Sequence, residues 1–332
     1  MSAAESVTPE AVILVGGEAL FDLVLEDGSE DIRAHPGGGP FNTARTIGRL
    51  EQPVAFLGRL SSDRFGTTHE RMLAEDGVRL DAVVWTDEPT TLALAEVDAS
   101  GSARYRFYER GTAAPGLTPE AALAALPSAV SILHVGTLGL VLEPIAAALE
   151  AVVEAMGDNT LVALDPNIRP GIIADPDGYR ARMERVLRRC DVVKVSEEDL
   201  AWLEPRRSWR SAAPTLLEHG PAVVLLTRGS EGAVVVTARG DVEVPVPPTN
   251  VVDTIGAGDA FGGGFLSWWR SRGLDRDALH DEEAVVEATR FATLVAARTC
   301  ERPGASPPRL SELGPADAAG REGPRASSAP GT

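Results

Sequence analysis

Short apolar runs recur along most of the chain, separated by stretches long enough for a helix. The predicted buried strands are residues 11–17, 132–136, 161–165, 192–195 and 222–227. Residues 144–156, between two of these strands, are predicted to be helical. Strands and helices that alternate in this way indicate a parallel sheet with helices on both faces, because parallel neighbours need a crossover connection. The sequence therefore predicts a three-layer α/β/α domain with a mostly parallel central sheet.

Between residues 90 and 110 the pattern changes to an alternation typical of half-buried strands, interrupted by turn residues at 98–102. This arrangement predicts a β-hairpin, and Tyr105 and Phe107 would lie on one face of its second strand. We expect the hairpin to form a second, small sheet with the residues after Asp22. The two aromatic side chains either contact a ligand or serve sheet packing or a dimer interface, and the sequence leaves both readings open.

The 332 residues suffice for one large α/β domain, which we expect to span residues 1–310. Residues 311–332 are rich in Pro, Ala, Gly and Ser without periodicity, which predicts a disordered tail. A net charge of −18 argues against nucleic acid or an anionic membrane as a partner. Two cysteines are too few for a disulfide framework, and we find neither a basic signal-peptide segment nor a long apolar run. We therefore expect a cytoplasmic protein.

Residues 253–261, D-T-I-G-A-G-D-A-F, join an extended segment to a predicted helix through glycines. Such a turn directs the backbone N–H groups of Gly256, Ala257 and Gly258 to one point at the positive end of a helix dipole, which favours an anion. Asp259 would repel a phosphate, but it suits a base that takes a proton from an attacking hydroxyl. On these residues alone, the alternative is a carboxylate that caps a helix after a tight turn.

A second glycine-rich turn lies at residues 35–44. Gly38 and Gly39 let a ligand lie against the backbone, and Asn42 offers a polyol both a donor and an acceptor. Its G-G-x-x-x-N-x-A run resembles the N-terminal signature of the ribokinase-like (PfkB) carbohydrate kinases. The run at 253–261 resembles the C-terminal signature of the same family.

The resemblance covers about residues 11 to 306 and implies a ribokinase-like fold. In that fold the small sheet, here from about residues 19–34 and 90–112, is a lid over the sugar. The residues implied for sugar binding are Asp22, Gly38, Gly39, Asn42, Tyr105, Phe107, Asn167 and Asp259. Asp22 lies just past the end of the first predicted strand, where open α/β sheets bind ligands, although it could also be a turn residue. An aspartate at this place binds sugar hydroxyls in the family.

The run D-P-N-I-R-P at residues 165–170 follows a predicted strand, on the side where open α/β sheets bind ligands. A D-x-N-x-R-P run is typical of the fructokinase and 2-keto-3-deoxygluconate kinase branches of the family. Arg169 suits a phosphate, because its planar guanidinium bonds two oxygens at once. The alternative role for Arg169 is a salt bridge to Asp165 or Asp175.

The resemblance also implies a nucleotide site and two cation sites. The residues implied for ATP are Lys194, Thr227, Gly229, Gly232, Ala257, Gly258 and Ala292. The backbone carbonyl of Asp253, with those of the turn at residues 302–305, would hold a monovalent cation such as K⁺. Asp199 would influence Mg²⁺ indirectly, although acidic residues at a helix N-terminus also have a structural explanation through the dipole.

Together these features predict an ATP-dependent sugar kinase, most like a fructokinase, with Mg²⁺. The alternative within the enzyme class is 2-keto-3-deoxygluconate kinase, for which Arg104 and Arg106 would bind the substrate carboxylate. From another class, the chain could be a sugar- or nucleotide-sensing protein without catalysis, which the intact run through Asp259 disfavours. A dinucleotide oxidoreductase lacks its glycine fingerprint after the first strand. We expect a sugar and ATP as partners, and a homodimer formed through the lid.

Overall fold

The computed structural model describes residues 11–26, 28, 30–97 and 103–314. In this part of the chain the strands form two sheets. The larger sheet contains β1 (Val12–Gly16), β4 (Val54–Ser61), β5 (Val83–Thr86), β8 (Val130–Gly136), β9 (Leu161–Asp165), β10 (Val192–Ser196), β11 (Val223–Thr227), β12 (Ala233–Thr237) and β13 (Gly240–Val244). The smaller sheet contains β2 (Leu20–Glu26), β3 (Ile32–Gly37), β6 (Leu92–Val97) and β7 (Ala103–Tyr108).

The larger sheet has the strand order β13-β12-β11-β10-β9-β8-β1-β4-β5. The pairings from β11 to β5 are parallel, whereas β12 and β13 add antiparallel at one end. The chain leaves β1 towards β4 and β5 on one side, and it returns at β8 to build the other side. The carboxyl ends of β1 and β8 therefore flank a topological switch point, where open α/β sheets bind their ligands.

Helices cover both faces of the larger sheet. They are α1 (Gly39–Arg49), α2 (Arg64–Glu75), α3 (Pro119–Ala124), α4 (Ile145–Ala155), α5 (Pro176–Leu187), α6 (Glu197–Leu203), α7 (Trp209–Leu217), α8 (Ala257–Ser271) and α9 (Glu282–Cys300). Alternate residues of β1 point to opposite faces: Ile13 and Val15 pack in the apolar core under α1, α8 and α9, while Val12 and Leu14 pack in the core under α4, α5 and α7. The predicted three-layer α/β/α fold is confirmed.

The smaller sheet has the order β3-β2-β6-β7, with β2 and β6 parallel and the outer pairs antiparallel. The predicted hairpin pairs β6 with β7, and its turn at residues 98–102 lies outside the described residues. Asp22 lies within β2, where it pairs with His35 and Ala93. Asp22 thus lies inside a strand of the smaller sheet, within the residues 19–34 that the resemblance implied for that sheet, and not in a turn just past the end of the first strand. The reason is that the glycines after β1 turn the chain directly into a strand of the second sheet.

The folded part of the chain extends beyond residue 310. Leu310–Glu312 form a short 3₁₀ turn, and Leu313 is buried in the core beneath α8 and α9. The carboxylate of Glu312 accepts hydrogen bonds from Arg302, at 3.0 and 3.1 Å. The predicted tail therefore began too early, and residues 315–332 lie outside the described part. Among the described helices, none is both long and apolar enough to cross a membrane.

Candidate active site

The turn before α8 has the geometry of an anion site. Gly256 adopts a left-handed backbone conformation, with φ of +76°, and α8 begins at the next residue. A Cβ atom at Gly256 would lie 2.6 Å from Cβ of Ala305, so only glycine fits here. The N–H group of Ala257 donates to the carbonyl of Thr254 at 3.2 Å. The N–H group of Ala257 is thus already hydrogen-bonded within the turn. The N–H groups of Gly256 and Gly258 remain as the candidate donors to an anion.

Asp259 lies in the first turn of α8, and its side chain is buried. Its Oδ2 accepts a hydrogen bond from Nδ2 of Asn42 at 2.9 Å. Burial raises the pKa of Asp259 to about 6, the charge of Asp165 adds to this rise, and the bond from Asn42 opposes it. A carboxylate with this pKa is ionised near neutral pH and still basic enough to take a proton from a hydroxyl.

A cavity of about 300 Å³ opens in front of Asp259, between the carboxyl edge of the larger sheet and the smaller sheet. Its lining includes all the residues that we predicted for the sugar, namely Asp22, Gly38, Gly39, Asn42, Tyr105, Phe107, Asn167 and Asp259. Tyr105 and Phe107 stack with their ring centroids 6.4 Å apart, on the face of β7 that lines this cavity. We call this space the small cavity.

Opposite charges face each other across the small cavity. Burial raises the pKa of Asp22 to about 6, and the positive charge of Arg169 opposes that rise. Arg169 lines the small cavity and donates to the carbonyl of Ile168 at 3.2 Å. Asp165, the alternative partner of Arg169, pairs with Lys194 instead. Asn167, beside Arg169, has a φ of +39°, a strained conformation that is common at functional sites.

Lys194 also lines the small cavity, although we predicted it for the nucleotide. Its Nζ donates to Oδ2 of the buried Asp165 at 2.7 Å, and a Cβ atom at Gly258 would lie 3.0 Å from the same Nζ. Burial lowers the pKa of Lys194, but the negative charges of Asp165, Asp199 and Asp259 outweigh burial and raise it. The ammonium group therefore stays charged beside the glycine turn, on the side of the small cavity.

A second cavity of about 650 Å³, mostly apolar in its lining, lies on the other side of the turn. Of the residues predicted for the nucleotide, Thr227, Gly229, Gly232, Ala257 and Gly258 line it. Ala292 does not, because it is fully buried against α8; the apolar wall is instead formed by Thr293, Ala296 and Ala297. The two cavities meet, since Thr254 and Gly258 line both. We call this second space the large cavity.

The residues predicted for cations have mainly structural contacts. Asp199 accepts hydrogen bonds from the N–H of Ile168 at 2.6 Å and from the N–H and hydroxyl of Ser196, and so forms a capping box for α6. Asp253 accepts from the N–H of Gly304 at 2.8 Å, which brings the two turns predicted for a monovalent cation together. The carbonyl of Ala305 already accepts from Arg45 at 3.3 Å.

Several residues that line the small cavity were not predicted from the sequence. They are Glu18, Leu20, Thr137, Leu138, Thr254 and Ile255. Glu18 follows β1 and Thr137 follows β8, at the two carboxyl ends that flank the switch point. The rule that placed the run at residues 165–170 near a ligand applies equally to these two ends. That rule could have identified Glu18 and Thr137 once the strand order was known.

The fold, the paired cavities and the buried carboxylate at their junction define a carbohydrate kinase. The family model described as "pfkB family carbohydrate kinase" matches residues 12–312, and the chain belongs to this family. The chain is 36% identical over 259 residues to a fructokinase of Rhizobium leguminosarum bv. trifolii, an alignment that covers 77% of this chain and 79% of that protein.

Solved structures show the same similarity. A fructokinase of Xylella fastidiosa with bound ATP superposes with a TM-score of 0.82 at 29% identity, covering 91% of this chain and 96% of that one. A fructokinase of Vibrio cholerae O395 with fructose, ADP and a calcium ion gives a TM-score of 0.78 at 27% identity, covering 89% and 94%. A double mutant of the Vibrio cholerae enzyme holds fructose, ADP and a potassium ion.

Proposed function

We propose that this carbohydrate kinase is an ATP-dependent fructokinase. The observation that carries the proposal is that two cavities meet at one glycine turn, with the carboxylate of Asp259 on the side of the small cavity. A phosphoryl group that passes the turn would move from ATP in the large cavity to a hydroxyl in the small cavity. The fructokinases among the similar proteins support fructose as the acceptor.

In the proposed reaction the sugar lies against Gly38 and Gly39 beneath the smaller sheet. Asp22 and Asn42 orient its hydroxyls, and Asp259 takes the proton from the hydroxyl that attacks the γ-phosphorus of ATP. Because Oδ2 of Asp259 already accepts a bond from Asn42, Oδ1 is the oxygen left for that proton. A positioned base of this kind typically contributes a factor of about 10² to 10⁴ to the rate.

The remaining residues bind the charge of the transferring phosphoryl group. The N–H groups of Gly256 and Gly258 would donate to its oxygens, with the positive end of α8 behind them. Lys194 and Arg169 would supply positive charge from the sugar side. Donors and charges that are fixed before the reaction stabilise developing charge most strongly in a site from which water is excluded.

We propose that a magnesium ion arrives with the nucleotide. In residues 11–314, apart from the few that the structure leaves undescribed, no three His, Cys, Asp or Glu side chains cluster as metal ligands. Mg²⁺ at phosphoryl-transfer sites is held mainly by substrate phosphates and water, with one or two carboxylates. When bound, it would neutralise charge on the phosphates. For K⁺, the contact between Asp253 and Gly304, which brings the two turns together, supports a carbonyl site.

We also propose a homodimer through the smaller sheet, in the cytoplasm where ATP is available. The sheet face opposite the small cavity carries Leu23, Leu94, Ile32 and Tyr108. Ile32 is 56% exposed and Tyr108 is 49% exposed. Apolar side chains that share one face in this way are typical of an interface between subunits. Sedimentation velocity of the protein and of a Tyr108→Arg variant tests this: the variant should be monomeric.

The two other readings have less support. Arg106 alternates with Tyr105 and Phe107 along β7, so it faces away from the small cavity, and the side chain of Arg104 lies outside what the structure describes. The predicted carboxylate partner of a keto-acid substrate is thus missing from the described lining. For a sensor without catalysis, the buried base at the junction of two cavities would have no use.

The test is a coupled ADP-release assay with Mg-ATP and a panel of acceptors. The panel contains fructose, 2-keto-3-deoxygluconate, ribose, adenosine, inosine and tagatose 6-phosphate. A strong preference for fructose in kcat/KM is the expected result. Preference for the keto acid would replace fructose by that substrate, and ATP binding without any transfer would favour the sensor.

A further inference from the structure

Glu18 is a buried carboxylate in the wall of the small cavity to which the proposed reaction assigns no role. It follows β1, on one side of the switch point. Its Oε2 accepts a hydrogen bond from the N–H of Gly139 at 2.8 Å, and its Oε1 accepts from the hydroxyl of Thr137. Both oxygens of Glu18 thus bind a single turn, the one that follows β8 on the other side of the switch point.

Thr137 has an unusual backbone conformation in that turn, with a φ of +55°. A β-branched residue rarely adopts the left-handed region, because its Cβ atom crowds the following carbonyl oxygen. Such a conformation persists only where the surrounding structure holds it, and it is found preferentially at functional sites. Here the hydroxyl of Thr137 and the N–H group of Gly139 both donate to Glu18, and these two hydrogen bonds keep the turn in this conformation.

Gly39 lies between the turn that contains Thr137 and the carboxylate of Asp259. A Cβ atom at Gly39 would lie 2.6 Å from Cγ2 of Thr137 and 3.2 Å from Oδ1 of Asp259. Thr137, Gly39 and the carboxylate oxygen are therefore packed against one another. Since Asn42 occupies the other oxygen of Asp259, a shift of Thr137 would loosen the wall beside the oxygen that receives the proton.

We propose that Glu18 is a positioning residue, which holds Thr137 against Gly39 and so fixes the cavity wall beside Oδ1 of Asp259. This inference rests on the proposed function, because the place of Oδ1 matters for catalysis only if Asp259 is the base. A side chain with two hydrogen-bonding atoms is needed, since the turn presents the N–H group of Gly139 and the hydroxyl of Thr137 to it.

The charge of Glu18 gives the proposal a second observable. Burial raises the pKa of Glu18 to about 7, and the negative charge of Asp259 contributes to the rise. Asp259, whose pKa is about 6, titrates at a pH where Glu18 is still largely protonated, so a neutral residue at position 18 should leave the pKa of Asp259 nearly unchanged. Among the described residues, the other charged groups that line the small cavity are Asp22 on β2, Arg169 after β9 and Lys194 on β10, and the buried Asp165 at the end of β9 also acts on Asp259.

The test compares Glu18→Ala with Glu18→Gln in steady-state kinetics with fructose and Mg-ATP. Glutamine keeps the shape: its amide oxygen accepts from Gly139 and its NH₂ group donates to the hydroxyl of Thr137. Alanine removes both bonds. Glu18→Ala should lower kcat about a hundredfold, the typical effect of a reacting group displaced by about 1 Å. Its KM for ATP should not change, because other residues line the large cavity.

Glu18→Gln should keep most of kcat, and the acid limb of its pH–rate profile, which reports Asp259, should stay nearly where it is in the wild-type protein. Two results would overturn the proposal. One is a Glu18→Ala variant with normal kcat and only a lower melting temperature. The other is a Glu18→Gln variant as inactive as Glu18→Ala.

Thr137→Gly keeps the proposal testable if Glu18→Ala folds poorly, because glycine adopts the left-handed conformation unaided. The loss in unfolding midpoint from Glu18→Ala should be smaller when Thr137→Gly is present; equal losses would overturn the proposal. This cycle needs no substrate. An inactive wild-type protein would therefore refute the proposed function, while the unfolding cycle would still decide whether Glu18 holds the turn.

Discussion

Replacing the only lysine of the chain separates its structural role from its catalytic one. Lys194→Met keeps the length of the side chain and removes the charge. Asp165 then stays buried without its partner, since its Oδ2 loses the 2.7 Å bond and its Oδ1 has no other protein partner among the described residues. We expect a loss of about 3–5 kcal/mol in the free energy of unfolding, as is typical when one member of a buried pair is removed.

The double variant Lys194→Met/Asp165→Asn removes the uncompensated charge as well. Its free energy of unfolding, measured by urea titration, should return most of the way to the wild-type value. Its kcat should nevertheless remain low, by a factor of about 10² to 10³, because a positive charge beside the glycine turn would be missing from the transition state. The coupled ADP-release assay measures this factor, and saturating fructose and ATP exclude a binding defect.

Two outcomes would refute this reasoning. A double variant with wild-type kcat would show that Lys194 serves only to neutralise Asp165. A Lys194→Met variant that loses less than about 1 kcal/mol would mean that the pair behaves like an exposed salt bridge. Asp165→Asn alone is the matched control, since it keeps the positive charge at the turn.

Three further predictions concern the same site. Asp259→Asn should lower kcat about 10²- to 10⁴-fold while fructose still binds in calorimetry, because the amide keeps the contact with Asn42 but takes no proton; unchanged kcat would remove Asp259 as the base. Gly256→Ala should cost about 1–3 kcal/mol of stability and impair turnover, because its Cβ atom would lie 2.6 Å from Ala305 in a left-handed backbone; normal turnover would contradict the role of the turn. Folding raises the pKa of Glu18 from 4.5 to about 7, so the folded protein holds the protonated side chain more tightly than the unfolded chain does. This contribution to the free energy of unfolding is full below pH 4.5 and is lost as the pH rises through 7. The loss should be about 3 kcal/mol, and Glu18→Gln should flatten the pH profile of urea unfolding between pH 4.5 and 8.

The arrangement of strands and helices could be predicted from the sequence because it depends on local patterns. The runs that form β9 and β10 are mostly apolar and have the length of a strand. Such a pattern favours a strand whatever the segment later packs against. Asp22 shows where local reading fails. The local pattern placed it just past the end of the first strand, whereas the resemblance implied a small sheet over residues 19–34. The pairing of Asp22 with His35 and Ala93 shows that it lies within a strand of that sheet.

The glycine turns could also be read from the sequence, because a left-handed residue such as Gly256 leaves a signature in residue type. The lining of the cavities could not. Lys194 and Ala292 were both assigned to the nucleotide, yet Lys194 lines the small cavity and Ala292 packs against α8. Which way a side chain points depends on the register of its strand or the rotation of its helix against neighbours distant in sequence.

By itself, the sequence determined the family, the three-layer fold and the residue types that phosphoryl transfer requires. Each of these depends on residues that are neighbours in the sequence, and so it can be recognised without the tertiary structure. The tertiary structure decided which groups meet. Glu18 and Thr137 lie 119 residues apart and join only because β1 and β8 are parallel neighbours at the switch point. Burial then sets the pKa values of Glu18 and Asp259, because the cost of a charge depends on how much water the folded chain excludes.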